Sequence, residues 1–183
     1  MKLSTLSILL GLVFILPNLY GLLKPAQFGQ ALRRFPRSET WGYLLVGLAT
    51  GWFIYNVKKE PIADFEPLKP FLYALFLFVG IGACIFVKDF LAVRGLAVVL
   101  LLLAKLMVDT ARWAESDWSL VLVTLAYIWI IAGMWLTISP WRLRDLLHWK
   151  TENEGRIRLF SGIRVGIGLL ITVLGLTVFR LPH

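Results

Sequence analysis

The sequence predicts an all-α polytopic membrane bundle: six transmembrane helices in three hairpins, with two short amphipathic helices lying in the membrane interface. Three observations carry this reading. Hydrophobic residues make up 58% of the chain and charged residues only 16%, where a soluble domain carries about 25% charge. Six apolar stretches reach or approach the roughly 20 residues that a helix needs to cross hydrocarbon with its backbone polar groups satisfied internally. The connections between them are too short to fold alone, so residues 1–183 form a single integral membrane domain.

The stretches lie at about 4–23, 41–57, 70–87, 91–109, 118–138 and 160–179, which pairs them as hairpins of about 4–57, 70–109 and 118–179. The first has one lysine before its apolar run, as a signal peptide would. No A-x-A-like site follows it, so it is expected to remain as a helix. Cys84, the single cysteine, lies inside the third stretch and excludes an intrachain disulfide. Trp41, Trp113, Trp118, Trp141 and Trp149 fall at the ends of stretches, where indole rings anchor at the headgroups.

Basic residues concentrate on alternate connections. Lys24, Arg33, Arg34 and Arg37 lie in 24–40, Lys88 and Arg94 at the turn near 88–94, and Arg142, Arg144, Lys150, Arg156 and Arg158 in 139–159, with Arg164 just beyond. These twelve face only five acidic residues, Glu39, Asp89, Asp145, Glu152 and Glu154, whereas the other side balances to zero. Because short basic loops stay cytoplasmic, the count predicts an inner (cytoplasmic) membrane protein with both termini extracytoplasmic. With Lys105 inside a stretch supplying one more charge, it also accounts for the net charge of +8 without a nucleic-acid partner.

Aligning Pro25 with Pro140 superposes Phe28 on Leu143, Ala31 on Leu146 and Leu32 on Leu147. This is helical spacing, with polar residues filling the opposite face, and proline suits the first turn because its missing N–H has no partner there. Each connection therefore reads as an interfacial elbow. Arg33, Arg34, Arg37, Arg142 and Arg144 would meet the anionic headgroups of membrane lipids. The same alignment sets Gly47 on Gly162 and Gly51 on Gly166, two Gly-x-x-x-Gly pairs of the kind that lets helices in lipid approach closely. Gly11, outside the repeated pattern, is expected to tolerate a larger side chain better than these four.

The stretch "SPWRLRDLLHWKTENEGRIRLFSGIRVGIGLLITVLGL", with its proline-led polar connection, arginine and glycine-rich second helix, resembles the short two-helix bacterial inner-membrane proteins of the YjeT type. The likeness covers about 60 residues at the C-terminal end and, more faintly, the N-terminal hairpin. It implies a small inner-membrane accessory protein of unassigned activity; the middle hairpin and the doubled architecture depart from that pattern.

Sites of chemistry are expected to be absent. His148 and His183 both lie outside the apolar stretches, so facing haem ligands, Fe–S ligands and a metal set are not foreseen. No H-E-x-x-H, P-loop or G-x-S-x-G pattern occurs. Glu152 and Glu154 read as solvated charges. The one suggestive feature is the fourth stretch, where Arg94 and Lys105 share a helix face and Asp109 and Arg112 follow at contact spacing. That pattern reads either as a polar face toward a partner helix or small aqueous path, or as side chains snorkelling to the two interfaces. The expectation is a non-enzymatic protein without cofactor, acting as a structural or accessory subunit in a homo-oligomer or with other membrane subunits. The alternative is a small-solute transporter or channel.

Overall fold

The computed structural model describes residues 3–60, 63–113 and 118–179, and among them the only regular structure is helical. Eight α-helices follow in order: α1 (Leu3–Leu23), α2 (Pro25–Arg34), α3 (Glu39–Lys59), α4 (Lys69–Phe86), α5 (Leu91–Ala111), α6 (Ser119–Ile138), α7 (Trp141–Lys150) and α8 (Glu154–Leu176). Five of the long ones, α1, α4, α5, α6 and α8, are long and apolar enough to cross a membrane. α3 matches them in length at 21 residues. Its Trp, Tyr, Asn and Gly content and its terminal Glu39, Lys58 and Lys59 make it less apolar.

The helix ends follow local chemistry. The Ser38 hydroxyl accepts a hydrogen bond from the Trp41 N–H and caps α3. Pro25 opens α2, as its sequence position predicts. The turn between α4 and α5 closes through Phe90, whose φ of 56° makes it the one positive-φ non-glycine residue described. Its ring packs beside the cluster of Val93, Ala97 and Leu136 and lies 6.0 Å from the Arg144 guanidinium of α7.

Packing does not follow the order expected of three hairpins. α1 lies along α8, so the two ends of the chain pair, while α5 packs against both α3 and α6, and α4 packs chiefly on α3. α5 is the centre of the bundle: Ala92, Val93, Ala97, Ala104 and Met107 are completely buried. One cluster joins Leu6 and Leu10 of α1, Ala104 and Met107 of α5, Leu122 and Ala126 of α6, and Ile171 of α8. α4 is the opposite case, with no buried residue along its whole length.

The closest seams are lined by small residues recurring every seven positions. α1 contributes Ser4, Gly11 and Asn18, with Ser7 and Gly21 on the same face, and α8 contributes Ser161, Gly168 and Gly175. α5 contributes Ala97, Ala104 and Ala111, facing Ser119, Ala126 and Gly133 of α6. A seven-residue period keeps one stripe facing its partner in a shallow left-handed crossing. The approach is tight. A Cβ on Gly168 would lie 2.9 Å from the Gly11 carbonyl oxygen, and one on Gly175 would lie 2.9 Å from Ser7 Cβ.

Candidate functional site

The two elbows meet at one end of the bundle. α2 touches α7 and α8, and Arg33 joins the two connections: its Nε donates to Thr151 Oγ1 at 2.8 Å and its terminal nitrogen to the Thr151 carbonyl at 2.5 Å. Thr151 is itself buried and caps α7 by donating to the Leu147 carbonyl. The inward face of α2 is Pro25, Phe28, Gly29 and Leu32, and that of α7 includes Leu143 and Leu147; Ala31 and Leu146, on the apolar face read from the sequence, are exposed. Arg34, Arg37 and Arg142 are exposed at this end, with Arg142 stacked over Trp135 at 5.8 Å. Arg144 pairs with Asp145 at 2.9 Å, and Arg156 pairs with Glu152.

Behind the elbows, Asn18, Lys150, Thr151, Ser161 and Arg164 surround a cavity of about 20 Å³, room for about one water. Asn18 is 5% exposed; its Nδ2 donates to the Phe14 carbonyl at 2.7 Å, while its Oδ1 has no hydrogen-bond partner among the described residues. Burial pushes the Lys150 ammonium below its ordinary pKa, and the Arg164 charge adds to the effect. Its Nζ also lies 5.0 Å from the centre of the Phe160 ring.

The predicted polar face of α5 divides into two unlike places. Lys105 Nζ sits between Asp109 at 2.6 Å and Glu60 at 3.2 Å, tying the end of α3 to α5, with all three side chains close to half exposed. Arg112 is exposed at the end of α5. Arg94, about 16 Å away along the helix at 1.5 Å per residue, makes none of these contacts. It lines a crevice of about 380 Å³ between α3, α4 and α5 whose other walls are apolar apart from Thr50. Val98 and Leu102 separate the two places. No continuous polar path joins them among the described residues.

Gly47, Gly51, Gly162 and Gly166 have open space where a Cβ would stand, so among the described residues none lies in a close helix crossing within this chain. Gly11, expected to be tolerant, lies in the tightest seam: a Cβ there would collide with Thr172 Oγ1 and come 2.7 Å from the Gly168 carbonyl oxygen. The spacing-four motif lies on the exposed side of α8, whereas the spacing-seven series 161, 168, 175 marks its packed side. Gly47 and Gly51 border a second apolar groove on the other flank of the α3–α4 contact, with Gly80, Cys84 and Ile85 opposite.

Among the described residues no group of three or more His, Cys, Asp or Glu is placed to hold a metal ion, and His148 stands exposed on α7. Comparison with protein-family models, with curated proteins and with solved structures finds no match for this chain.

Proposed function

We propose that this chain is a non-enzymatic inner-membrane protein of six spans, serving as a structural or accessory subunit that docks other transmembrane helices, or further copies of itself, on its unfilled glycine faces. The observation that carries the reading is that both Gly-x-x-x-Gly pairs, Gly47/Gly51 and Gly162/Gly166, remain open at Cβ while Gly11, Gly95, Gly133 and Gly168 are packed tightly. Glycine in a lipid-facing helix interior sacrifices stability, and close approach of a partner backbone offsets that loss.

Support for α3 as the sixth span comes from helix direction. Gly80 approaches Thr50 while Phe76 packs against Phe53, so α3 and α4 run antiparallel; Gly42 meets Leu91 and Gly95 meets Leu45, so α3 and α5 run parallel. α5 and α6 are antiparallel, with Gly133 against Ala97 and Leu101 and, further along, Leu122 and Ala126 clustered with Ala104 and Met107. These directions are those of a chain crossing at each long helix. The hairpins of the sequence reading are then connections along the chain, whereas packing pairs other helices. Both elbows and the α4–α5 turn also share one end, through Arg33 on Thr151 and Arg144 over Phe90, in accord with a cytoplasmic basic face. The YjeT-type resemblance points to the same class of small accessory protein. The transporter reading draws less support, since the crevice beside Arg94 is apolar.

The test compares native complex size in mild detergent for Gly47→Leu/Gly51→Leu and Gly162→Leu/Gly166→Leu. At least one double variant should lose assembly while its monomer melts unchanged; assembly intact in both would overturn the subunit reading. Impermeant thiol labelling of Ile62→Cys, with protection of Gln30→Cys, in a Cys84→Ser background checks the orientation.

A further inference from the structure

We propose that the crevice between α3, α4 and α5 is a binding site for an anionic phospholipid of the leaflet on the basic side, with one acyl chain between the helices and its phosphate on the Arg94 guanidinium. Three observations converge on this. The first is shape and chemistry: the space of about 380 Å³ has Val46, Ala49 and Phe53 as its floor and Val79, Ala83 and Val98 among its walls, within the ~300–1,000 Å³ range of small-ligand sites. Such a lining selects hydrocarbon.

The second is access. α4 and α5 are joined by a short turn yet pack little on each other: α4 packs chiefly on α3, α5 on α6 and α3, and α4 buries no residue. A crevice between the flanks of long helices, one of which buries no residue, lies where the lipid chains of a bilayer would be.

The third is charge. Arg94 lies one turn inside α5 at the basic end and is the only charged residue lining the crevice. It has no carboxylate within ion-pair distance among the described residues, while Arg144, Arg156 and Lys105 all have one. A guanidinium at the hydrocarbon edge is costly without a counter-charge, and its planar fork matches phosphate oxygens in a bidentate fashion. A second copy of the chain could bring only Glu39, Asp89 or Glu154 from the basic side, since Asp145 and Glu152 are already paired, and that carboxylate would have to be desolvated at the hydrocarbon edge. A phospholipid supplies the anion and the chain together.

This inference does not rest on the subunit reading, which uses the opposite flank of the α3–α4 contact. It is tested by native mass spectrometry of the full chain, delipidated in detergent and titrated with dioleoyl phosphatidylglycerol or dioleoyl phosphatidylcholine. The wild type should retain one phosphatidylglycerol at concentrations about tenfold below those needed for phosphatidylcholine. Arg94→Gln should erase that preference, and Val98→Trp, which fills the crevice, should remove both adducts. Lys150→Met, in the separate cavity behind the elbows, should change neither. Inorganic phosphate in excess should not displace the lipid; if it does, the site takes free phosphate and the lipid assignment fails. The proposal is also overturned if Arg94→Gln keeps the preference, or if the crevice variants alter oligomer size and leave the adduct intact, since a second copy then occupies the space. Should Val98→Trp fail to fold, Ala83→Trp fills the same space from α4, and the Arg94→Gln comparison stands by itself.

Discussion

The seam between α1 and α8 and the contact between α3 and α4 are both built from small residues, yet one is filled and the other is flanked by open grooves. In the first, serine and glycine recur every seven residues on both helices, so the two backbones stay close from Ser4 at one end to Ser161 at the other. In the second, Gly80 meets Thr50 and Phe76 meets Phe53, but Gly47 and Gly51 turn past the contact and Arg94 lies on its other side. Helices in lipid gain little from hydrophobicity and associate through close packing. A seam in continuous register therefore contributes stability, whereas a contact at one or two levels leaves room for a ligand or a partner.

The largest effect should come from breaking the filled seam. Gly11→Leu or Gly168→Leu forces the backbones apart and should cost about 3 kcal/mol or more, read as a collapse of the melting temperature in detergent. Gly11→Ala should already be harmful, because its Cβ would collide with Thr172. The same change at Gly47 or Gly162 should leave monomer stability within about 0.5 kcal/mol. Equal losses at the two kinds of site would erase the contrast.

Next in size is the link between elbows. Arg33→Met leaves the buried Thr151 carbonyl without the donor at 2.5 Å, and should cost roughly 1.5–3 kcal/mol, as for a hydrogen bond to a charged group. Proteolysis should then cut 24–40 and 139–159 faster while the α1–α8 seam stays intact.

The Lys105 cluster should matter less. Lys105 and Asp109 are 44% and 49% exposed, so a cycle of Lys105→Met and Asp109→Asn should give a coupling below about 1 kcal/mol. A larger coupling would place the pair in a drier setting than its exposure indicates.

The smallest effect concerns Lys150. Folding lowers its pKa below 10.5 through burial and the nearby Arg164, so the folded state holds this proton less tightly than the unfolded one. The resulting penalty is full below the lowered pKa and is relieved as pH rises toward 10.5. The wild type should thus gain stability with pH in that alkaline window relative to Lys150→Met, whose profile should be flatter there. Parallel profiles for the two proteins would show that the ammonium is not desolvated.

Much of the fold was legible because hydrocarbon imposes a simple rule on composition. The six apolar stretches match the six long helices closely; α8 alone starts well before its stretch, at Glu154 and not near 160. The two prolines mark the elbows, and the charge count gathers the basic connections that Arg33, Thr151, Arg144 and Phe90 bring together. The Gly-x-x-x-Gly pairs record that a face is small, but spacing four does not say whether this chain or something else covers it. The seven-residue series in α1 and α8 was present in the sequence but mixed Ser, Gly and Asn, and a search for glycine pairs passed over it. Asn18 escaped notice for the same reason: one polar residue in an apolar run shows no partner until the helices around it are placed.

The sequence by itself determined the helices, their lengths and the sharing of charge between connections, because each depends on residues close along the chain and on the cost of exposing backbone or charge to hydrocarbon. Only the tertiary structure decided that α1 pairs with α8, that α5 is the centre and that α4 stands half detached. Those choices depend on which small-residue stripes interlock across more than a hundred residues, and many pairings of apolar helices are equally acceptable to lipid until one brings the backbones closest.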